Sequence, residues 1–376
     1  MANKKILFIG NTAWSMYNFR RDVFSAFMSK GYSVCVCAPD DRVFSKKIQE
    51  LGCSFYDIKL SAKGINPAED IALTLHFWFL FMCLRPSFIF CYTIKPNIYG
   101  SIAAFLAGIP SVAVTTGLGY AFQKQNFVAW ISKILYKVAF IFPKKVWFLN
   151  SDDLNIFEEK RIVSPNRAEL LNSEGVNLDV FYPAEHISDN KEHSCVFLLI
   201  ARLLWSKGVG EFVEAARILK TRYPESHFAL LGFSGSQNPE AIPESTLHQW
   251  IKDGLIEWWG ATDDVRTYIR NVDCVVLPSY YREGIPRSLL EGAAMGKILI
   301  TTDSVGCRNT VDDGVTGYLC RPRDFVSLAE SMEKVILMNR EMRMEMGKAG
   351  RKKMAEEFDV KNIVQHYFDT VEKLLH

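Results

Sequence analysis

Short apolar runs alternate with helical lengths of chain, twice over, and that alternation leaves few folds open. Ile6 to Gly10, Ser33 to Ala38, Ser54 to Ile58, Phe88 to Thr93, Ser111 to Thr115 and Val146 to Leu149 form the first set. Strands of a parallel sheet are buried on both faces, so they read as continuous apolar runs, and the crossovers between them need a helix. The polar stretch Pro183 to Glu192 interrupts the pattern and reads as a linker. Val196 to Ile200, His227 to Leu231, Cys274 to Leu277 and Ile298 to Thr302 then open a second set. The expectation is an α/β chain of two parallel-sheet domains, 1–185 and 190–358. A charged helix, Arg340 to Phe358, and a last helix from Val360 to His376 close it.

Open α/β sheets bind ligands beyond the carboxyl ends of their strands, so the residues that follow each run are the candidates. After Val196 to Ile200 comes Ala201-Arg202-Leu203-Leu204-Trp205-Ser206-Lys207-Gly208. Arginine can grip a phosphate with two parallel hydrogen bonds and lysine adds a point charge, so Arg202 and Lys207 could hold a diphosphate without a metal. Leu231-Gly232-Phe233-Ser234-Gly235 ends the next strand with small residues, of which Gly232 lets backbone approach a ligand. Further on stands Glu283-Gly284-Ile285-Pro286-Arg287-Ser288-Leu289-Leu290-Glu291. Proline suits a first helical position, so Pro286 is expected to start a helix, with Glu283 in the loop before it and Gly296 ending it. Glu291 then lies more than a turn inside, about 10 Å from Glu283. A helix start favours an anion through its N–H groups and dipole, so the donor is expected against Gly284, Ile285 and Pro286, the last of which has no N–H to give. A diphosphate there, with a hydroxyl-accepting carboxylate on each side, is the layout of a nucleotide-sugar site.

The first set offers fewer signals. Phe8-Ile9-Gly10-Asn11 ends its strand with one glycine where a dinucleotide fold wants Gly-x-Gly-x-x-Gly, which argues against an NAD enzyme. Arg20, Lys95 beside Pro96-Asn97, and the Gly117-Leu118-Gly119 loop stand where they could face a second substrate. Asp152-Asp153, Asp263-Asp264 and Asp312-Asp313 are adjacent pairs, with no Asp-x-Asp of the kind that holds Mn²⁺ or Mg²⁺, so no metal and no other cofactor is expected. Neither a Gly-x-Ser-x-Gly elbow nor a P-loop is present.

On Arg202 to Lys207 and on Leu277-Pro278-Ser279-Tyr280-Tyr281-Arg282-Glu283 through Gly296, the chain resembles the family 4 retaining glycosyltransferases of the GT-B fold. Within them it is most similar to bacterial enzymes, N-acetylgalactosaminyltransferases included, that extend sugars on undecaprenyl diphosphate. Gly117-Leu118-Gly119 and Ala201 to Gly208 carry that narrower similarity. The resemblance implies two Rossmann-like domains facing each other across a cleft, acceptor-binding first and nucleotide-sugar-binding second, with the last helix returning to the first domain. It implies that Arg202 and Lys207 bind the donor diphosphate, that Glu291 accepts from the ribose hydroxyls and that Glu283 contacts the donor hexose. Gly10, Asn11, Arg20, Lys95, Gly117 and Gly119 would then serve the acceptor, a lipid diphosphate-linked sugar. Many relatives carry a histidine where this chain has Thr115-Thr116-Gly117, so no imidazole role carries over. The implied activity is retaining transfer of a hexose, an N-acetylhexosamine such as GalNAc, from a UDP-sugar. Alternatives are a UDP-sugar 2-epimerase of the same architecture and a non-catalytic sugar-binding protein.

Composition is that of a globular chain: 376 residues, 49% hydrophobic, 23% charged. The nine cysteines form no C-x-x-C pair, and Cys35-Val36-Cys37 fits a buried strand better than a metal site, which suits a reducing cytoplasm. The lysine-flanked start Lys4-Lys5-Ile6 to Gly10 reads as a first strand and not a signal peptide. The net charge of +2 conceals an asymmetry, since no Asp or Glu occurs between Asp70 and Asp152 while Arg85, Lys95, Lys124, Lys133, Lys137, Lys144 and Lys145 do. Within that tract Phe127 to Phe142 is apolar at helical spacing and carries Lys133 and Lys137, so it is expected to lie on an anionic membrane surface. The location that follows is the cytoplasmic face of the inner membrane. Nucleic acid is not an expected partner, because there is no overall basic excess and no binding module. Ile71 to Leu84 falls short of the roughly 20 residues that cross a bilayer and is expected to be a buried helix, with His76 in the core.

Overall fold

A computed structural model of the chain describes residues 4–60, 67–117, 127–183, 194–235 and 238–375, with backbone alone at 127–129. Two compact units result, one formed by Met1–Glu174 with Val360–His376 and the other by Gly175–Asp359. The first unit's main stretch thus ends before the expected boundary at 185. Val176 bridges to Asp359 and packs with Phe181 into the second unit's core. The linker expected at 183–192 lies outside the described residues from 184 onward.

The first unit is a seven-stranded parallel sheet in the order β3-β2-β1-β4-β5-β6-β7. Its strands are β1 Lys5–Ile9, β2 Ser33–Ala38, β3 Ser54–Asp57, β4 Phe88–Tyr92, β5 Ser111–Thr115, β6 Lys145–Phe148 and β7 Ala168–Leu170. Side chains alternate across each strand, so Leu7 and Ile9 join one core layer with Phe77, Phe81, Tyr136 and Phe140 from the helices above them. Phe8 points the other way, onto Phe24 and Phe27 of the Ala13–Ser29 helix. The terminal helix Val360–Leu375 closes that second layer. Its Tyr367 ring meets Phe90 and Trp147, each at 4.8 Å, and its hydroxyl lies 2.7 Å from that of Tyr92.

The second unit repeats the plan with six parallel strands in the order β10-β9-β8-β11-β12-β13. They are β8 Val196–Ile200, β9 His227–Leu231, β10 Glu257–Trp258, β11 Cys274–Leu277, β12 Ile298–Thr302 and β13 Gly317–Cys320. In each sheet the order reverses beside the first strand of its set, between β1 and β4 and between β8 and β11. Such reversals splay the crossover helices to opposite faces and leave a crevice at the strand ends.

One expectation fails. The helix expected from Ile71 runs over Pro67–Leu84 and is not buried. Asp70, Leu73, Phe77 and Phe81 are buried and Leu80 and Leu84 pack partly buried against the core, while Ile71, Leu75, Trp78, Phe79 and Met82 are exposed. His76 is likewise exposed rather than in the core. A helix resting on one sheet presents one stripe to it, and this sequence is apolar all round, so its period could not show which stripe would be covered.

Candidate functional site

The reversal in the second sheet collects most of the residues singled out for a nucleotide-sugar. Beyond β8 the chain makes a 3-10 turn, Trp205–Lys207, then Gly208 at φ 76° and the helix Val209–Arg222. A Cβ on Gly208 would stand 2.1 Å from the carbonyl oxygen of Pro278, so glycine is required there both for its backbone angle and for contact with the loop after β11. That contact sets Lys207 beside the second loop, where its ammonium pairs with the Glu283 carboxylate; both side chains are nearly buried, at 13% and 12% exposure.

Ser279 also holds Glu283, and the loop that carries both is fixed in turn. The Ser279 hydroxyl donates to the same oxygen, Oε1, at 2.9 Å, and receives the Tyr281 N–H at 3.2 Å. The N–H groups of Tyr280 and Tyr281 both reach the Ser206 carbonyl at 3.1 Å, tying the loop after β11 to the turn after β8. Thr302 and Ser304 in turn donate to the Ser279 carbonyl. Gly306 backs the loop, since a Cβ there would come within 2.2 Å of the Gly284 carbonyl oxygen.

The helix after this loop spans Arg287–Ala294, one residue later than expected. Pro286 is its cap, with extended ψ of 116°, and its carbonyl accepts from the Leu289 N–H at 3.2 Å. Proline fits because a cap needs a carbonyl and not an N–H. Glu291 lies within the helix and accepts from Arg287 Nε at 3.1 Å, both side chains 14% exposed. Gly232 supports the adjoining strand end: its N–H donates to the Gly260 carbonyl at 2.7 Å and a Cβ would lie 1.7 Å from the Ala201 oxygen. Arg202 is exposed beyond β8 and is not part of the Lys207–Glu283 contact. Burial pushes the nearby Cys307 thiol up to about 11, helped by the Glu283 carboxylate, which keeps it un-ionised at neutral pH.

The first unit treats its candidates differently. Gly10 and Asn11 do follow β1 at the reversal, and a Cβ on Gly10 would strike the Met16 sulfur at 2.3 Å. Lys95 follows β4 on the other side of it, yet its ammonium is held by Asp70 at 3.2 Å. Arg20, expected to face a ligand, is 3% exposed, paired with Glu174 and stacked 3.9 Å above the Tyr92 ring. It ties the first helix to the chain near 174 and works as a packing residue, because the carboxylate that captures it lies far off in sequence. Gly117 ends β5's loop at φ 108°, a backbone angle that favours glycine, whereas Gly119 lies outside the described residues.

Sequence reasoning passed over Ser279, Arg287 and Asp70. Arg287 and Glu291 are four apart on a helix, a spacing that by itself predicts their pair. Ser279 and Asp70 carry no such signal, since their partners depend on the fold.

Comparison with known proteins follows this geometry. Residues 5–150 match the family described as Glycosyl transferase 4-like, and residues 184–353 the family described as Glycosyl transferases group 1. The chain is 29% identical, over 99% of both chains, to the N,N'-diacetylbacillosaminyl-diphospho-undecaprenol alpha-1,3-N-acetylgalactosaminyltransferase of Campylobacter jejuni. It is 28% identical to the UDP-Gal:alpha-D-GlcNAc-diphosphoundecaprenol alpha-1,3-galactosyltransferase of Escherichia coli, over 73% of this chain and 72% of that one. Among solved structures, Alr3699/HepE of Anabaena in complex with UDP and glucose superposes with a TM-score of 0.80 at 17% identity, covering 98% of this chain and 100% of its own. A glycosyltransferase of Rickettsia africae gives the same score at 16% identity, with 100% and 99% coverage. At such identities these structures establish a shared fold, GT-B, and no more.

Proposed function

The chain is a glycosyltransferase, 4-like in its first half and group 1 in its second, and from that premise we propose that it transfers an N-acetylhexosamine from a UDP-sugar to a polyprenyl-diphosphate-linked sugar, with retention of the α configuration. GalNAc is the favoured donor sugar, because the relative alike over its full length is named for that transfer. The product would enter a surface polysaccharide or a glycoprotein glycan.

The observation that carries the reading is the Lys207–Glu283 pair at the reversal of the second sheet. A diphosphate arriving there competes with Glu283 for the ammonium, and Glu283 is released toward the hydroxyls of the hexose. As the sugar–phosphate bond breaks, charge grows on the departing UDP. Lys207 and the exposed Arg202 meet that charge; one such preorganised donor is typically worth roughly 10² to 10³ in rate. Glu291, steadied by Arg287, accepts from the ribose. The leaving phosphate takes the proton of the attacking hydroxyl, and no metal is required. In the first unit, Gly10, Asn11, Lys95 and Gly117 border the β1–β4 reversal where the acceptor would bind.

We place the protein on the cytoplasmic face of the inner membrane, held through the basic tract between Asp70 and Asp152. The Phe127–Ala139 helix exposes Lys137 next to Trp130, Ile134 and Val138, and Lys144 is exposed beyond it. Lys145 contributes less than expected, since Glu169 holds it at 3.5 Å.

The test is a panel of UDP-sugars offered with polyprenyl-diphosphate-linked acceptors to wild type, Arg202→Ala and Lys207→Ala. A single UDP-N-acetylhexosamine should be consumed, and each folded variant should be slower by at least about a hundredfold. Turnover of a UDP-sugar without acceptor would mark an epimerase, and binding without turnover a sugar-binding protein.

A further inference from the structure

The helices that cover one face of the first sheet carry their large apolar residues on the side away from it. On Pro67–Leu84 the stripe is Ile71, Leu75 and Phe79, between 57% and 64% exposed. The neighbouring Ser101–Leu106 helix adds Phe105, whose ring packs 4.8 Å from Phe142, and the Phe127–Ala139 helix adds Ile134 and Val138. These helices share one buried layer beneath, so their outer sides face the same way. Scattered apolar residues on a surface need no explanation, but a run of them across adjoining helices marks a contact surface.

We propose that this outer side is a membrane-inserting face, with the Pro67–Leu84 helix lying in the plane of the bilayer and its Ile71, Leu75 and Phe79 stripe in the hydrocarbon. The proposal rests on the reading of the protein as a membrane-bound enzyme and deepens it, because it moves the main attachment from the lysines to an apolar helix. Charge selects a bilayer over a second copy of the chain. The only carboxylates of that helix, Glu69 and Asp70, sit in its first turn, and Lys95 holds Asp70. From there to Asp152 the sequence has no acid, while Arg85, Lys137 and Lys144 are exposed. Two copies would bring like charges together with only the exposed Glu69 on these helices to offset them, whereas anionic headgroups meet the same lysines favourably. The Asp70–Lys95 pair joins the helix to the end of β4, so the depth of insertion also sets the height of that strand end above the bilayer.

The experiment uses vesicles of phosphatidylcholine with phosphatidylglycerol, and the full-length chain labelled with an environment-sensitive dye at Cys83. That thiol ends the same helix and is the one exposed cysteine among the described residues. The bound fraction is measured at low salt and at about 1 M salt, where screening shortens electrostatic reach to about 3 Å. The dye should shift to the blue and be quenched by lipids brominated along the acyl chain. Leu75→Ser with Phe79→Ser should keep low-salt binding and lose the salt-resistant part by at least about tenfold. Lys133, Lys137 and Lys144 changed to glutamine should show the opposite pattern. Wild type that binds with no acyl-chain quenching, or a serine variant that matches it at high salt, overturns the insertion while leaving membrane attachment intact. Binding to no vesicle at all would overturn both. A concentration-dependent dimer lost in the serine variant, with vesicle binding unchanged, would assign the face to a second copy instead.

Discussion

Arg287 and Glu291 show how much one spacing can decide. Their hydrogen bond ties the Glu291 carboxylate to its own helix, and in the proposed reaction that carboxylate accepts from the ribose. Arg287→Ala should therefore raise the donor KM in the same direction as Glu291→Ala, and the double variant should be no worse than the worse single one, since a broken pair cannot be lost twice. Glu283→Ala should depress kcat more than KM. Steady-state kinetics over a donor series checks both, and additive losses at Arg287 and Glu291 would separate their roles. Lys297, at the far end of β12, gives a pH prediction. Burial lowers its ammonium from the ordinary 10.5 to about 8, with Asp273 pulling partly back. Between those values the unfolded chain binds the extra proton, so stability should rise with pH there, by at most about 1.4 kcal/mol per pH unit. Denaturant unfolding from pH 8 to 10.5 should show that slope in wild type and not in Lys297→Met. Arg202, Lys207, Glu283 and Glu291 could be singled out as candidates because each lies beyond a strand or near a helix start. The contact between Lys207 and Glu283 could not be read, since it exists only because β8 and β11 are neighbours, and no local pattern says that they are.

Among the elements, the terminal helix is the least local in its bonds. Val360–Leu375 places Tyr367 against Phe90, Trp147 and the Tyr92 hydroxyl, and Phe368 against Phe27 at 4.7 Å. Tyr367→Ala removes a fully buried ring and leaves Tyr92 without that partner, so it should cost about 3–5 kcal/mol. Thermal unfolding should register it as a lower midpoint for the first unit, and an unchanged midpoint would mean the helix is a passive cover. The central strands were readable from continuous apolar runs, as parallel sheets require. The edge strands β7, β10 and β13 were not, because Ala168–Leu170 and Glu257–Trp258 are too short to show a pattern and Gly317–Cys320 opens on a glycine. The Pro67–Leu84 helix was misread for the converse reason. Its sequence is apolar on every side, and whether a second layer covers the outer side is a fact of the fold rather than of the helix.

For the whole molecule, two sheets of like plan each present a reversal, and the second one carries the charges proposed to meet the donor diphosphate. The proposed reaction gives that work to Lys207 and Arg202, so activity should survive thorough EDTA treatment; loss that Mn²⁺ or Mg²⁺ restores would contradict the assignment. The doubled α/β plan was visible in the spacing of apolar runs, and the division near 175 was not, because Val176 and Phe181 look like any loop residues until Asp359 and the second core are placed beside them. The most direct test of the account follows the fate of the transferred sugar's anomeric carbon. UDP-N-acetylgalactosamine labelled with ¹³C at that carbon is incubated with a polyprenyl-diphosphate-linked sugar and the protein, and both the released UDP and the product's anomeric signal are read by NMR. The account predicts UDP release only when acceptor is present, and an α-linked product. A β-linked product, or release of UDP in the absence of acceptor, would contradict it.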